Sequence, residues 1–401
     1  MKKFLLIFFS LYFSASLAQE TTLVLNKIDQ NIFNIDGVIS EDEINKAKTL
    51  EIIYEAEPGL NSMPSQETTG YITYSDKFLY VGIKAKRERV IAPLTTRDNS
   101  ALFRGDFAGI TIDSYGDARN NILLISNPSG SQTDGIRLPG TSFGGGLNIN
   151  LNINFDFQSS GSITDEGYEI EFLIPLSELP FPNGKDQSWK FEIYTGYIDD
   201  ENEGVEVRAA SSRSSRDASC QLCLIDHIIV MNDIEIEKKL DFLPYVSSNI
   251  SGKRDKYYDR INYETPELNY GIGVNIELNK NLSLEATLNP DFSQVESDAT
   301  KIDINSPTAI NYPEKRPFFN RGIDAMDYEI DVFYSRSINN PSFASKIINQ
   351  GRKSRLYVLS AFDEETPYLV PTQFESFSGV GGKSFSNVIR YQNFLDSKTR
   401  I

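Results

Sequence analysis

The chain of 401 residues contains one histidine, His227, two cysteines and one tryptophan. A single imidazole excludes every site built on two histidines, including the HExxH zinc sites and the two-histidine iron sites. Two cysteines cannot supply a disulfide scaffold or a four-thiolate metal cluster. Cations are also scarce: 39 Lys plus Arg stand against 56 Asp plus Glu, a formal charge of −17. A phosphate backbone needs clustered cations, so no nucleic-acid partner is expected. Beyond the first residues no apolar run approaches the roughly 20 residues that a membrane-crossing helix needs. Any later span must therefore be made of strands.

The 20 Tyr, 25 Phe and 26 Gly give the composition of a β-rich exported protein. Lys2 and Lys3 form a positive start, Phe4 to Phe13 an apolar stretch, and Ser16-Leu17-Ala18 a small-residue cleavage signal. Residues 1–18 are thus expected to be a signal peptide cut before Gln19. Loss of the two lysines takes the mature charge from −17 to about −19.

From 26 to 235 short alternating segments are broken by Gly, Asp, Asn and Pro. Tyr71 to Tyr74 and Phe78 to Ile83 predict a hairpin around Ser75-Asp76-Lys77. Phe107 to Ile112 and Asn121 to Ile125 flank the polar turn Asp113 to Asp117. Tyr168 to Pro175 alternates with period two and stops at its proline, and Asn148 to Asn154 alternates Asn with Leu and Ile. Helix signals are few: Ser40 caps a short segment with Glu43 three residues on. Strands at this spacing favour a β-sandwich. Trp189 is expected in its core.

From 238 to 401 the pattern changes. Ile272, Val274, Ile276 and Leu278 share one strand face, with Gly271, Gly273, Asn275 and Glu277 on the other. After Asn279-Lys280-Asn281, Leu282, Leu284, Ala286 and Leu288 repeat the arrangement. Apolar residues facing out and polar residues facing in is the pattern of an outer-membrane β-barrel strand, although a soluble sandwich has the same period. Asp331 to Ser335, Arg355 to Ala361, Gly379 to Phe385 and Val388 to Phe394 extend the series. The fold class expected is all-β: an N-terminal β-sandwich followed by antiparallel strands of a partial outer-membrane-type barrel. The end at Lys398-Thr399-Arg400-Ile401 lacks the terminal aromatic strand of exported barrels, so the barrel portion is expected to be incomplete.

Two stretches resemble known families. Ile35 to Glu41, Glu57-Pro58-Gly59, Thr68-Thr69, Asp76 to Gly82 and Glu169 to Pro175 are similar to the sandwich of carbohydrate-binding module family nine. Asn289 to Asp298, Tyr312 to Phe319 and Val332 to Arg336 resemble the domain of unknown function 5916 family, exported proteins of Bacteroidetes-type bacteria. The resemblance implies a sugar-module-like sandwich before an outer-membrane barrel. It also implies glycan and outer-membrane lipid as partners and a role in carbohydrate catabolism. It further implies a sandwich that stands in the periplasm or at the cell surface. Tryptophans of the sandwich family are replaced here by Ile44, Phe155 and Phe157, which leaves Phe155, Phe157 and Tyr115 as the aromatic platform for a sugar ring.

Other candidates follow from residue chemistry. Arg97, Asp98 and Arg119 suit hydrogen bonding to sugar hydroxyls, or equally a buried Arg–Asp brace. Asp113, Asp117, Asn120 and Asp134 are oxygen ligands of the kind Ca²⁺ takes, or else acidic turn residues; no other cofactor is indicated. Asp291 and Glu296 are the carboxylates that a membrane-associated glycoside hydrolase would need. The favoured reading of these acids is a charge network inside the barrel, and an enzyme is not the leading expectation. A non-catalytic transport or assembly barrel is a further alternative. Cys220 and Cys223 are expected to form a local disulfide outside the cytoplasm. His227 is expected at a surface or strand end, and no G-x-S-x-G surrounds a serine.

Overall fold

The computed structural model describes residues 20–394 except 30–32, 142–146, 152, 200–203, 236–237, 251, 255–259, 291–313, 315, 323–325, 327–332, 339–340, 365 and 372–375. The expected signal segment, 1–18, and the carboxylates Asp291 and Glu296 lie outside the described residues.

The chain opens with β1 (Thr21–Val24), the short helix α1 (Glu41–Lys46), β2 (Lys48–Glu51), β3 (Tyr54–Glu57), β4 (Thr68–Tyr74) and β5 (Phe78–Lys86). It continues through β6 (Phe107–Asp113), β7 (Asn121–Ser126), β8 (Gln132–Thr141), β9 (Leu147–Asn150) and β10 (Gln158–Thr164). Next come β11 (Gly167–Pro175), β12 (Gln187–Asp199), β13 (Val205–Ala210) and β14 (His227–Met231). One sheet has the order β1-β14-β12-β6-β7-β8-β9, with β13 also paired to β12 and β3 to β13; the other runs β10-β11-β5-β4-β2. Helix α1 starts where its capping box dictates: Ser40 accepts from the Glu43 amide while the Glu43 carboxylate accepts from the Ser40 amide.

The two sheets face each other across one core, as alternation requires of a sandwich. Ile110, Ile112, Phe191 and Ile193 project from the first sheet, and Ile72, Val81, Ile170 and Phe172 from the second. Trp189 lies in this core without exposure, its ring 5.3 Å from Phe181. Arg87 is buried too, and its charge is met by Asp106 at 3.1 Å and by the hydroxyls of Thr68 and Thr195. The Tyr197 ring lies against the guanidinium at 4.1 Å.

The second half comprises β15 (Leu240–Asn249), the short pair β16 (Gly252–Lys253) and β17 (Asn262–Tyr263), β18 (Glu267–Asn279) and β19 (Leu282–Leu288). It ends with α2 (Pro317–Asn320), β20 (Pro341–Gln350), β21 (Ser354–Asp363), β22 (Pro367–Pro371), β23 (Ser376–Val380) and β24 (Ser384–Asn393). Six of these form an antiparallel meander, β15-β18-β19-β20-β21-β24. Among the described residues it is an open sheet with β15 and β24 at its edges, not a closed barrel.

Two strand expectations fail. Of the strand expected over Asp331 to Ser335, Asp331 and Val332 lie outside the described residues, and Ser335 opens the 3₁₀ turn Ser335–Ser337, where Arg316 holds the Ser335 and Ile338 carbonyls. Gly379 to Phe385 is not one strand: β23 ends at Val380 and β24 begins at Ser384, with the glycines between them outside any ladder. Strand β9 is also shorter than expected, stopping at Asn150.

Candidate membrane-facing sheet and its junction with the sandwich

The register of the six-stranded sheet aligns two unbroken apolar rows. Leu240, Ile276, Leu284, Ile347, Val358 and Ile389 are successive partners across all six strands. Pro244, Ile272, Leu288, Phe343, Phe362 and Phe385 form a second row. This face is open: Leu240, Leu288, Phe343, Phe385 and Ile389 are exposed. In water such a face would be turned inward to hide its area.

The opposite face carries charge and is covered. Lys346, fully buried, lies 3.0 Å from Glu285 and donates to the carbonyls of Phe318 and Arg321. Arg321 reaches Glu277 at 2.9 Å and Glu285 at 3.3 Å. Over these strands lies the segment holding α2, fastened by the buried pair Arg316–Glu314 at 2.7 Å. Phe319 and Ile338 pack there on Ala344, Ile348, Tyr357 and Leu359. Apolar outside and ion-paired inside inverts the arrangement of a soluble sheet.

The connections are sorted by end. The tight turns 279–281 and 350–353 lie at one end, and the long connections 250–266, 289–340 and 364–383 at the other. The sandwich stands against the tight-turn end. Asn183 donates to the Asn279 side chain and accepts from the Lys280 amide, both at 3.2 Å. Lys280 donates to the Ser177 carbonyl at 3.1 Å, and Tyr115 to the Gln350 carbonyl at 3.1 Å. Lys239 pairs with Glu178 at 2.7 Å. The Arg119 guanidinium lies 3.3 Å from the centre of the Phe394 ring. Between the two bodies remains a cavity of about 350 Å³ whose wall includes Tyr115, Asn120, Asn154 and Phe155 from the sandwich, and Asn281, Ser283 and Gln350 from the sheet.

The expected glycan residues fall into separate places. Phe155 and Phe157 are buried in the sandwich core, with Phe155 also reaching the cavity wall. Tyr115 and Arg119 belong to the junction. Arg97 pairs with Asp134 at 2.8 Å and donates to the Phe155 carbonyl, while Asp98 accepts from the Asp134 amide. Arg97 is thus held by Asp134, not by Asp98, the partner expected for a brace, whose carboxylate lies 3.9 Å away. Burial pushes the Asp134 carboxyl up to about 6, against the pull of the Phe155 amide and Arg97.

The calcium set is a correction. Asp113 spends its carboxylate on the Gly116 and Ala118 amides, Asp117 pairs with Arg119, and Asp134 belongs to Arg97. Among the described residues no three His, Cys, Asp or Glu side chains come together to hold a metal. Burial raises the Asp113 carboxyl, and Asp117 adds to the rise. His227 begins β14, a strand end as expected, but is buried rather than at the surface. Ser212 and Asp226 both approach its Nδ1, at 3.3 Å and 2.9 Å. A catalytic triad needs serine and carboxylate on opposite ring nitrogens, so this trio is structural. Cys220 and Cys223 are joined as a disulfide.

Sequence reasoning missed β15, β20 and Lys346, the cation that β20 turns toward Glu285, although the inward-facing Glu277 is legible. In β20 the adjacent pair Ile347-Ile348 hides the period, because one side chain faces out and the other packs in the second core.

Three solved structures are similar to about half of the chain. A family 9 carbohydrate-binding module (CBM9) from Caldicellulosiruptor kristjanssonii in complex with cellotriose is 14% identical. The match covers 54% of this chain and 95% of that one, at TM-score 0.38. The same source's module with glucose is 15% identical and covers 52% and 94%, at TM-score 0.37. A putative carbohydrate-binding protein from Bacteroides uniformis ATCC 8492 is 12% identical and covers 53% and 99%, at TM-score 0.39. No curated protein matches the chain. Residues 237–356, from the start of the six-stranded sheet into β21, match the family model described as domain of unknown function (DUF5916).

Proposed function

We propose that this is an exported outer-membrane protein. In this reading the six-stranded sheet is barrel wall, the sandwich stands in the periplasm against it, and the whole binds or handles glycan. The observation that carries the membrane reading is the pair of apolar rows crossing all six strands on the open face, set over an ion-paired inner face. Outer-membrane barrels need that inversion, because lipid takes the place of a core on their outer side. The side assigned to the sandwich rests on the turns: such barrels keep short turns on the periplasmic side and long loops outside. The glycan part rests on the amide-lined cavity at the junction.

Fractionation and heat-modifiable migration on a detergent gel test the membrane part. Recovery with outer membranes and a band that shifts on boiling are expected; a soluble periplasmic protein with one unshifted band refutes it. Affinity electrophoresis of the full chain in gels containing polysaccharides tests the glycan part, with retardation in at least one gel as the expected result.

A further inference from the structure

We infer that the Cys220–Cys223 disulfide is a reversible thiol–disulfide exchange site, open to a reductant that carries two neighbouring thiols. The inference rests on neither the membrane nor the glycan reading. The two cysteines are joined although they lie only three positions apart in the sequence. A cross-link restrains the unfolded chain more the longer the loop it closes, so this one adds little to the stability of the sandwich.

Other bonds hold the segment that contains it. Asn61 donates to the Ser214 carbonyl at 2.9 Å and accepts from the Ser214 amide at 2.8 Å. Arg216 donates to the Pro58 carbonyl at 2.8 Å. Leu222, between the two cysteines, is buried, and the Leu224 amide closes the turn on the Gln221 carbonyl at 3.0 Å. None of these contacts uses the sulfur bond. They keep the two cysteines, whose Cα atoms are 5.4 Å apart, within reach of each other after reduction, as a reversible pair requires.

The two sulfurs are not equivalent. Cys223 is exposed and Cys220 is half-buried, and the Cys223 amide donates to the Cys220 Sγ at 3.2 Å. An incoming thiolate meets Cys223 first, and the sulfur it displaces is the one with a donor already in place for negative charge. In the first step a thiolate of the reductant bonds to the Cys223 Sγ, the bond between the two cysteines breaks, and its electron pair leaves on Cys220. In the second step the reductant's other thiolate attacks its own sulfur in the mixed disulfide, and Cys223 leaves as a thiolate. The two protons released by the reductant's thiols end on Cys220 and Cys223. The reductant is thereby oxidised to a disulfide and the pair is reduced to two thiols; the reverse sequence restores it.

The full chain, folded in detergent, is incubated with dithiothreitol, quenched with a maleimide and mapped by mass spectrometry, with Trp189 emission reporting the fold. Labels on both cysteines with native emission are expected. Labels that appear only in guanidinium, or native emission lost on reduction, overturn the proposal: the first shows a closed site and the second a structural staple. Cys223→Ser retains the backbone amide that donates to Cys220. Iodoacetamide should alkylate Cys220 about three- to tenfold faster in this variant folded than unfolded, through one hydrogen bond to the thiolate. An equal or lower rate in the folded variant overturns the assignment of Cys220 as the leaving sulfur.

Discussion

Ile347→Arg separates a lipid-facing sheet from a water-facing one. Ile347 sits at the centre of the first apolar row, three residues before β20 ends at Gln350. With a rise of about 3.3 Å per residue and a strand tilt near 40°, it lies roughly 8 Å inside the tight-turn boundary of an apolar band about 25 Å tall. An outward arginine costs about 2–4 kcal/mol at the bilayer midplane and about 0–1 near its edges. At this depth about 2 kcal/mol is expected, roughly a thirtyfold fall in the folded-to-unfolded ratio. Ile163→Arg in β10 of the sandwich is the control, because Ile163 is 60% exposed, and a surface change in water stays within about 0.5 kcal/mol. Guanidinium unfolding of both variants in lipid vesicles, read by the heat-modifiable gel shift for the sheet and by Trp189 emission for the sandwich, gives the two costs. Equal shifts below about 0.5 kcal/mol refute the lipid-facing assignment.

Lys346→Ala leaves Glu285 buried without its ammonium and should cost about 3–5 kcal/mol, while Lys346→Met combined with Glu285→Gln should recover most of that in the same unfolding assay. Arg87→Ala strands Asp106 in the sandwich interior, and a loss of similar size is expected from the Trp189 unfolding curve. Burial, helped by the nearby Glu43 and Asp36, raises the Glu171 carboxyl from 4.5 to about 7, although it accepts from the Gly37 amide and the Tyr80 hydroxyl. The folded state then holds a proton that the unfolded chain has released. This contribution is complete below 4.5 and is lost as pH rises through about 7. Thermal melts of the wild type should therefore fall over that interval, and those of Glu171→Gln should fall less; parallel profiles count against the assignment.

Much of this was legible because period two survives wherever one face is uniformly apolar. The rows through Ile272–Ile276 and Leu284–Leu288 stand out in the sequence, as do the hairpin at Ser75 and the capping box at Ser40. What was hidden depends on partners distant in sequence. Asp134 looks like a calcium ligand beside Asp113 and Asp117 until Arg97 is seen to reach it from another strand connection. Tyr115 and Arg119 look like a sugar platform, yet their partners, Gln350, Arg352 and Phe394, lie more than two hundred residues later. The cavity was invisible for the same reason, since no local pattern marks a wall shared by two bodies.

The strand orders also set a schedule for a chain delivered N-terminus first. Thr21 pairs with His227, so the sandwich cannot complete its first sheet until β14 has been delivered, and closing so long a loop is slow. The six-stranded sheet has no such debt, because every strand in it pairs only with its neighbours in the sheet's chain order. It can be added one hairpin at a time. If the chain is exported as proposed, β1 and the free side of β12 wait for β14 during transit, and this edge depends most on being shielded from aggregation.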